Sequence, residues 1–290
     1  MSRALVLGGG GPVGIAWEMG LLAGLEEAGV RLAEADFVLG TSAGAFVGSQ
    51  IAMQRPLAEM AAAILREAER PRGPAGLAPP IGQVTAMLAE ARKGAMTDPE
   101  GARRRIGAMA LATPTIDEAT FIRGFGRALA ETQADLWPTR NYACTAVDAE
   151  SGEFVIWNAD SRIGLARAVA SSCSVPGVFP PITIGGRRYM DGGVRSATNA
   201  DLATCYERVA VLAVRLGGDG EEAAELAGPL EAELQALRDN GAKVELIGPD
   251  AASAAAFGPN LLDSATRPAV AQAALAQGRA LAPSLAAFWR

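Results

Sequence analysis

The sequence predicts an α/β protein with a mostly parallel central sheet covered by helices and interrupted by an all-helical insertion. Three observations carry that expectation. Two strand-loop-helix patterns follow one another within residues 4–53, a wholly helical pattern fills residues 56 to about 138, and strand patterns then resume. With 290 residues, half of them apolar, the chain can bury a sizeable core as a single domain.

The elements can be justified in order. Ala4-Leu-Val-Leu7 is a short apolar run that ends in Gly8 to Gly11, and from Ile15 the apolar residues Met19, Leu22 and Leu25 recur at helical spacing up to Gly29. Asp36-Phe-Val-Leu39 is the second strand, Gly40-Thr-Ser-Ala-Gly44 its turn, and Ala45 to Met53 the start of an apolar helix. Parallel strands need such crossovers, so the pair of units favours a parallel sheet. Leu57, Met60, Ala61, Ile64, Leu65 and Ala68 then form a helical stripe, which Pro71 to Pro80 breaks. Ile81, Val84, Met87, Leu88 and Ala91 mark another helix, and capping-box patterns at Thr97-x-x-Glu100 and Thr115-x-x-Glu118 predict two more.

Strand signals return at Tyr142 to Val147 and Phe154 to Trp157, a hairpin around the polar turn at Asp148 to Gly152, with a helix after it from Arg162 to Ser172. Ile182 to Ile184 and Arg187 to Met190 flank Gly185-Gly186, a pair suited to the positive φ of a tight hairpin. Asp191 follows that second strand. Val209 to Leu216 and Lys243 to Ile247 read as strands, and helices are expected over about 221–240 and 268–282. In this reading the core motifs span residues 4–215, and residues 216–290 add the C-terminal strands and helices.

Composition narrows the function. A formal charge of -6 argues against nucleic acid as the main partner, because binding to a phosphate backbone depends on clustered Lys and Arg. The run Arg103-Arg104-Arg105 is expected to be a solvated helix face. Cys144, Cys173 and Cys205 are widely spaced and odd in number, which suggests neither a disulfide framework nor a zinc site. No run of about 18 apolar residues marks a membrane-spanning helix, and the first apolar stretch is too short for a signal peptide. A cytoplasmic protein is expected, with peripheral contact to a membrane left open. The chain has no histidine. That excludes a Ser-His-Asp or Cys-His mechanism within it, and an H-E-x-x-H metal site. No metal or cofactor is expected.

Three motifs remain as candidates for chemistry. Gly40-Thr41-Ser42-Ala43-Gly44 matches the G-x-S-x-G nucleophile elbow between a strand and a helix, where the sharp turn lifts Oγ to a helix N-terminus. The competing reading is a glycine-bracketed turn whose serine caps the helix. Gly9-x-Gly11-x-x-Gly14 matches a dinucleotide fingerprint as text, but the acid that should hold a ribose is misplaced, since Asp36 precedes its strand. The same glycines can aim backbone N–H groups at one point as an oxyanion hole, or can simply make a tight turn. Asp191-Gly192-Gly193 places an acid after a strand, where an Asp-Gly pair is ordinarily just a turn. A serine needs a base, and without histidine only a carboxylate or a lysine can serve. Lys93 and Lys243 stand next to no motif.

The three motifs, in this order, resemble the patatin-like phospholipase family, as do Ser171-Ser-Cys-Ser-Val-Pro-Gly-Val-Phe-Pro-Pro181 and Tyr189-Met-Asp-Gly-Gly193. The resemblance covers residues 4 to about 215 and is weak across the helical insertion. It implies a three-layer α/β fold and a serine acyl hydrolase acting on a phospholipid, lysophospholipid or long-chain ester. Ser42 would be the nucleophile and Asp191 the base of a dyad, and the N–H groups of Gly10 and Gly11 would form the oxyanion hole. Many relatives carry Arg or Lys where this chain has Val13, so a role for that charge in steering an anionic head group is not expected here. An acyltransferase, or a member that binds lipid without hydrolysis, would share these features, and a nucleotide-dependent oxidoreductase is a remote alternative.

Overall fold

The computed structural model describes residues 2–69, 86–87, 95, 97–129, 137–138, 141–215 and 221–290, with residues 126–128 and 221–227 described by their backbone only. The chain divides into two compact units. One comprises Met1–Arg70, Pro138–Tyr142 and Ser196–Arg290, the other Pro71–Trp137 and Ala143–Arg195.

The first unit holds β1 (Arg3–Leu7), β2 (Phe37–Gly40), β7 (Arg208–Leu212) and β8 (Lys243–Ile247). β1 pairs in parallel with both β2 and β7, and β7 pairs in parallel with β8. Ala4 to Leu7 and Val209 to Leu212 are wholly buried, which is why these strands read as continuous apolar runs rather than as alternations. The helices α1 (Gly11–Glu27), α2 (Ala43–Ala52) and α3 (Leu57–Leu65) belong to this unit, as do α7 (Glu221–Asp239), α8 (Ala251–Phe257) and α9 (Arg267–Trp289). α1 and α9 lie against each other along their length. A Cβ at Gly20 would meet the Ala271 carbonyl at 2.5 Å, and one at Gly24 would collide with the Leu275 carbonyl, so the glycines set the approach.

The second unit is built on antiparallel pairs. β3 (Tyr142–Asp148), whose first residue falls in the first unit, pairs with β4 (Phe154–Trp157) and with β6 (Arg187–Asp191), and β6 pairs with β5 (Ile182–Ile184). Gly185 and Gly186 make the expected turn, with φ of 59° and 83°. The helices are α4 (Pro99–Ala112), α5 (Glu118–Ala128) and α6 (Leu165–Ser172). α4 contributes Ile106 and Ala110 to a core with Val147 and Met190, while Phe121 of α5 packs on Phe179 at 4.6 Å between ring centres.

The α/β class is as expected, with the parallel pairing carried by the first unit. Several boundaries differ from expectation. α1 starts at Gly11 rather than Ile15, because Pro12 needs no acceptor in a first turn and its fixed φ suits one. α9 runs past Pro283 to Trp289 instead of ending at Ala282. Its last turn is held by packing: Trp289 is buried, and its Nε1 donates to the Arg31 carbonyl at 3.0 Å. Neither predicted capping box forms. Asp98 and Asp117, each adjacent to its helix, accept the Gly101 and Thr120 N–H groups at 2.8 Å in place of Thr97 and Thr115. Glu118 is thereby released to accept from Thr183 N and Oγ1, both at 2.8 Å. In the arginine run, Arg103 is half-buried and its Nε donates to the Gly152 carbonyl, while Arg104 and Arg105 are exposed. The predicted break at Pro71 to Pro80 lies outside the described residues, as does the next predicted helix apart from residues 86–87.

Candidate active site

Thr41 and Ser42 make the two-residue step between the end of β2 at Gly40 and the start of α2 at Ala43. The φ of 54° and ψ of -115° at Ser42 place it in a region that residues with a Cβ rarely adopt, a strain that a strand-to-helix elbow imposes. The flanking glycines are sterically required. A Cβ at Gly40 would stand 2.5 Å from Ala45 Cα, and one at Gly44 would overlap the backbone of Leu7. Ser42 stands at the N-cap position of α2, but its hydroxyl makes no capping bond to the helix.

The glycine loop lies alongside this elbow. A Cβ at Gly9 would be 3.3 Å from Ser42 Cβ, and one at Gly14 would be 3.3 Å from Ala43 Cβ. Gly8 N donates to Leu212 O at 3.0 Å and Gly9 N to Ala197 O at 2.8 Å, so both amides are committed to holding the loop. Among the described residues, the N–H groups of Gly10 and Gly11 have no backbone acceptor. They are the first amides of α1, whose partial positive charge favours an anion. Gly11 also needs its φ of 58° and the space taken by Leu261 O, 2.8 Å from where a Cβ would be. The structure thus gathers Gly9, Gly10, Gly11, Gly14, Gly40, Ser42 and Gly44 in the first unit. Val13 is wholly buried there. Asp36, which a dinucleotide site would want elsewhere, accepts the Arg3 amide at 2.7 Å.

Asp191, Gly192 and Gly193 belong to the second unit. Asp191 is the last residue of β6, opposite Ala146 of β3, and only 5% exposed. Its amide donates to Ser174 O at 2.9 Å, and its Oδ1 accepts Gly193 N–H at 2.7 Å, which orients the carboxylate. Gly192 lies so close to Thr145 that a Cβ would be 2.6 Å from the Thr145 carbonyl oxygen. Cys173 is nearby. Its residue surface is half-buried but its thiol is desolvated, and burial first, then the charges of Asp191 and Cys144, push its pKa well above the usual thiol range. It stays a thiol and is no rival nucleophile.

Residues 5–204 match the family model described as patatin-like phospholipase. The chain belongs to the patatin-like phospholipase family. The match includes the elbow, the glycine loop and Asp191, and it makes lipid hydrolysis the class of activity that comes with membership. Two solved structures are similar to this patatin-like chain at low identity. VipD from Legionella pneumophila is 15% identical, with 96% of this chain and 67% of VipD covered and a TM-score of 0.41. The type III effector protein ExoU is 17% identical, with 96% and 53% covered and a TM-score of 0.35. The patatin-like chain therefore spans about two thirds of the one and about half of the other. No curated protein sequence matches it.

Sequence reasoning missed three parts of the patatin-like site. Asn199 Nδ2 donates to Thr41 Oγ1 at 3.0 Å, on the residue that precedes Ser42. Glu233 of α7 binds the segment that carries Asn199. Glu18 of α1 is wholly buried, and among the described residues no side chain or backbone group is within hydrogen-bonding geometry of either of its carboxyl oxygens. Burial raises its pKa well above the usual carboxylate range, and the nearby Gly8 amide offsets only part of that. Glu18 did leave a signal, a lone charge within the apolar run from Ile15 to Leu25. Asn199 and Glu233 left none, since each sits in polar sequence typical of a loop or a solvated helix.

Proposed function

We propose that the chain is a serine acyl hydrolase of lipid esters that works through a Ser42–Asp191 dyad. The observation that carries this reading is the strained elbow at Ser42, lying beside a loop whose Gly10 and Gly11 amides have no backbone acceptor among the described residues. In the first step Asp191 accepts the Ser42 proton as Oγ bonds to the ester carbonyl carbon. The carbonyl electron pair moves onto oxygen, where the Gly10 and Gly11 N–H groups receive it. One such donor is typically worth about 3 kcal/mol in the transition state. Collapse breaks the C–O bond, and the leaving alcohol takes the proton from Asp191. A water deprotonated by Asp191 then attacks the acyl-enzyme, releasing the acid and restoring Ser42.

The substrate is a phospholipid, lysophospholipid or long-chain ester, and water is the acyl acceptor. Peripheral contact with a lipid surface belongs to the proposal. It is supported by Leu111 and Ile116, exposed around the bend between α4 and α5. Among the described residues no helix is long and apolar enough to cross a membrane. A cytoplasmic location is proposed from the odd number and wide spacing of Cys144, Cys173 and Cys205 in the sequence, a pattern that offers no disulfide framework.

A fluorophosphonate probe tests the core of this reading. The expected result is one adduct, mapped by mass spectrometry to Ser42 and lost in Ser42→Ala, together with hydrolysis of a lysophospholipid. An adduct elsewhere, or none, overturns it. Labelling of Ser42 with acyl transfer to an alcohol but no release of fatty acid would make the protein an acyltransferase.

A further inference from the structure

The segment from Ser196 to Ala200 touches both neighbours of the nucleophile. Its Ala197 carbonyl accepts the Gly9 amide at 2.8 Å, and Gly9 is the residue of the glycine loop that faces Ser42. Its Asn199 side chain donates to Thr41 Oγ1 at 3.0 Å and to the Ser196 carbonyl at 2.8 Å. Asn199 is held at a φ of 52°, a conformation that Asn tolerates better than most residues. A second oxygen of the segment is also in reach, since Thr41 Oγ1 lies 3.5 Å from the Thr198 carbonyl. Thr41, Thr198 and Asn199 are all buried, so these bonds act without competition from water.

One side chain holds that segment from behind. Glu233 Oε2 accepts Thr198 Oγ1–H at 2.6 Å and the Ala200 amide at 2.8 Å. Glu233 is 8% exposed, whereas Glu231 and Asp239 of the same helix are exposed. Burial pushes its carboxyl above the usual range, against the opposing pull of the Ser196 and Thr198 hydroxyls and the Ala200 amide. A leucine would fill such a site at less cost, and what it would lack is an acceptor for those donors.

We propose that Glu233 is a positioning residue: through the 196–200 segment it fixes Thr41 and Gly9 next to Ser42, and so sets where the nucleophile and the oxyanion amides stand. The catalytic consequence rests on the hydrolase reading above, whereas the mechanical one does not. Displacing a reacting group by about 1 Å costs on the order of 100-fold in rate, so a modest relaxation of the segment is enough to register.

The test compares wild type, Glu233→Leu and Glu233→Gln by hydrogen-deuterium exchange over residues 5–14 and 38–46, and by kcat and KM on a soluble p-nitrophenyl ester. In Glu233→Leu, exchange at the 196–200 segment, the glycine loop and the elbow should rise while the strands and helices of the first unit away from them are unchanged. Its kcat should fall about 10- to 100-fold with KM nearly constant. Glu233→Gln keeps an oxygen for Thr198 and Ala200 and should recover the larger part of both. If Glu233→Leu fails to fold, Thr198→Val removes one bond of the clamp and should give the same pattern in weaker form. A folded Glu233→Leu with unchanged exchange at Gly9 and the elbow overturns the proposal. So does a Glu233→Gln as impaired as the leucine variant. Wild type that lacks Ser42 turnover, while exchange responds as described, would sink the hydrolase reading and leave the clamp standing.

Discussion

The two units position their candidate chemistry by opposite means. In the first, Ser42, Gly10 and Gly11 sit where strands give way to helices, and backbone strain together with close glycine contacts decides their place. In the second, Asp191 is the end of a strand, and its place is set by ladder register, Ala146 opposite Asp191 and Tyr189 opposite both Asp148 and Ile182. A strand-to-helix turn is specified locally and tolerates almost no added atom. A register is specified by the hairpin turn and by which side chains reach the core, so it accommodates change at the turn better than change along the strand.

Substitutions can break or sharpen that contrast. The largest effect is expected from Asp191→Asn, which keeps the shape of the strand end and removes the proposed base. Turnover should fall by at least about 1000-fold with little change in Tm. A near-normal esterase rate in that variant would remove Asp191 from the dyad. Next is Gly44→Ala, whose methyl group must displace the β1 backbone at Leu7. A loss of more than about 3 kcal/mol, or failure to fold, is expected in denaturant titration.

Glu18 comes third, as a slope rather than a loss. Its folded pKa lies well above its unfolded value, so between the two the native state binds more protons than the unfolded state. Stability conferred by the protonated form is therefore complete below the ordinary carboxylate range and declines as pH rises through the raised folded pKa. The slope is at most about 1.4 kcal/mol per pH unit for one proton. Glu18→Gln should flatten it, and an unchanged pH-stability curve in that variant would show that Glu18 is not the group responsible. The smallest effect is expected at Gly186→Ala in the second unit. Among the described residues other than its chain neighbours, no atom lies within 4 Å of the added Cβ, and the φ of 83° resists it. A cost of about 1 kcal/mol follows. If Gly186→Ala proved as damaging as Gly44→Ala, the proposed difference between turn and elbow would fail.

Much of the site was legible because its signals are short-range. The elbow, the glycine loop and the Asp-Gly-Gly turn each lie within a few consecutive residues, and the chemistry of a tight turn dictates which residues can stand there. The strands of the first unit were legible because burial on both faces leaves an unbroken apolar run. Helix ends were less so. Asp98 and Asp117 stand adjacent to their helices and outcompete the threonines of the patterns read there, a choice that turns on one or two residues of register. Pro283 predicts an end that α9 ignores, because buried Trp289 and its bond to Arg31 stabilise a turn that propensity alone would stop.

What the sequence by itself determined is the set of residues on which the proposed chemistry rests: a serine in an elbow motif, a glycine loop before it, an acid after it and no histidine to join them. Those are properties of residue type and local spacing. Only the tertiary structure decided which amides of the loop have no backbone acceptor among the described residues, which carboxyl of α1 is buried and which side chains hold the elbow. Thr41 meets Asn199 across 158 residues, and Thr198 meets Glu233 across 35. Such pairs carry no local pattern, because each partner is chosen by how the chain packs rather than by its neighbours in sequence.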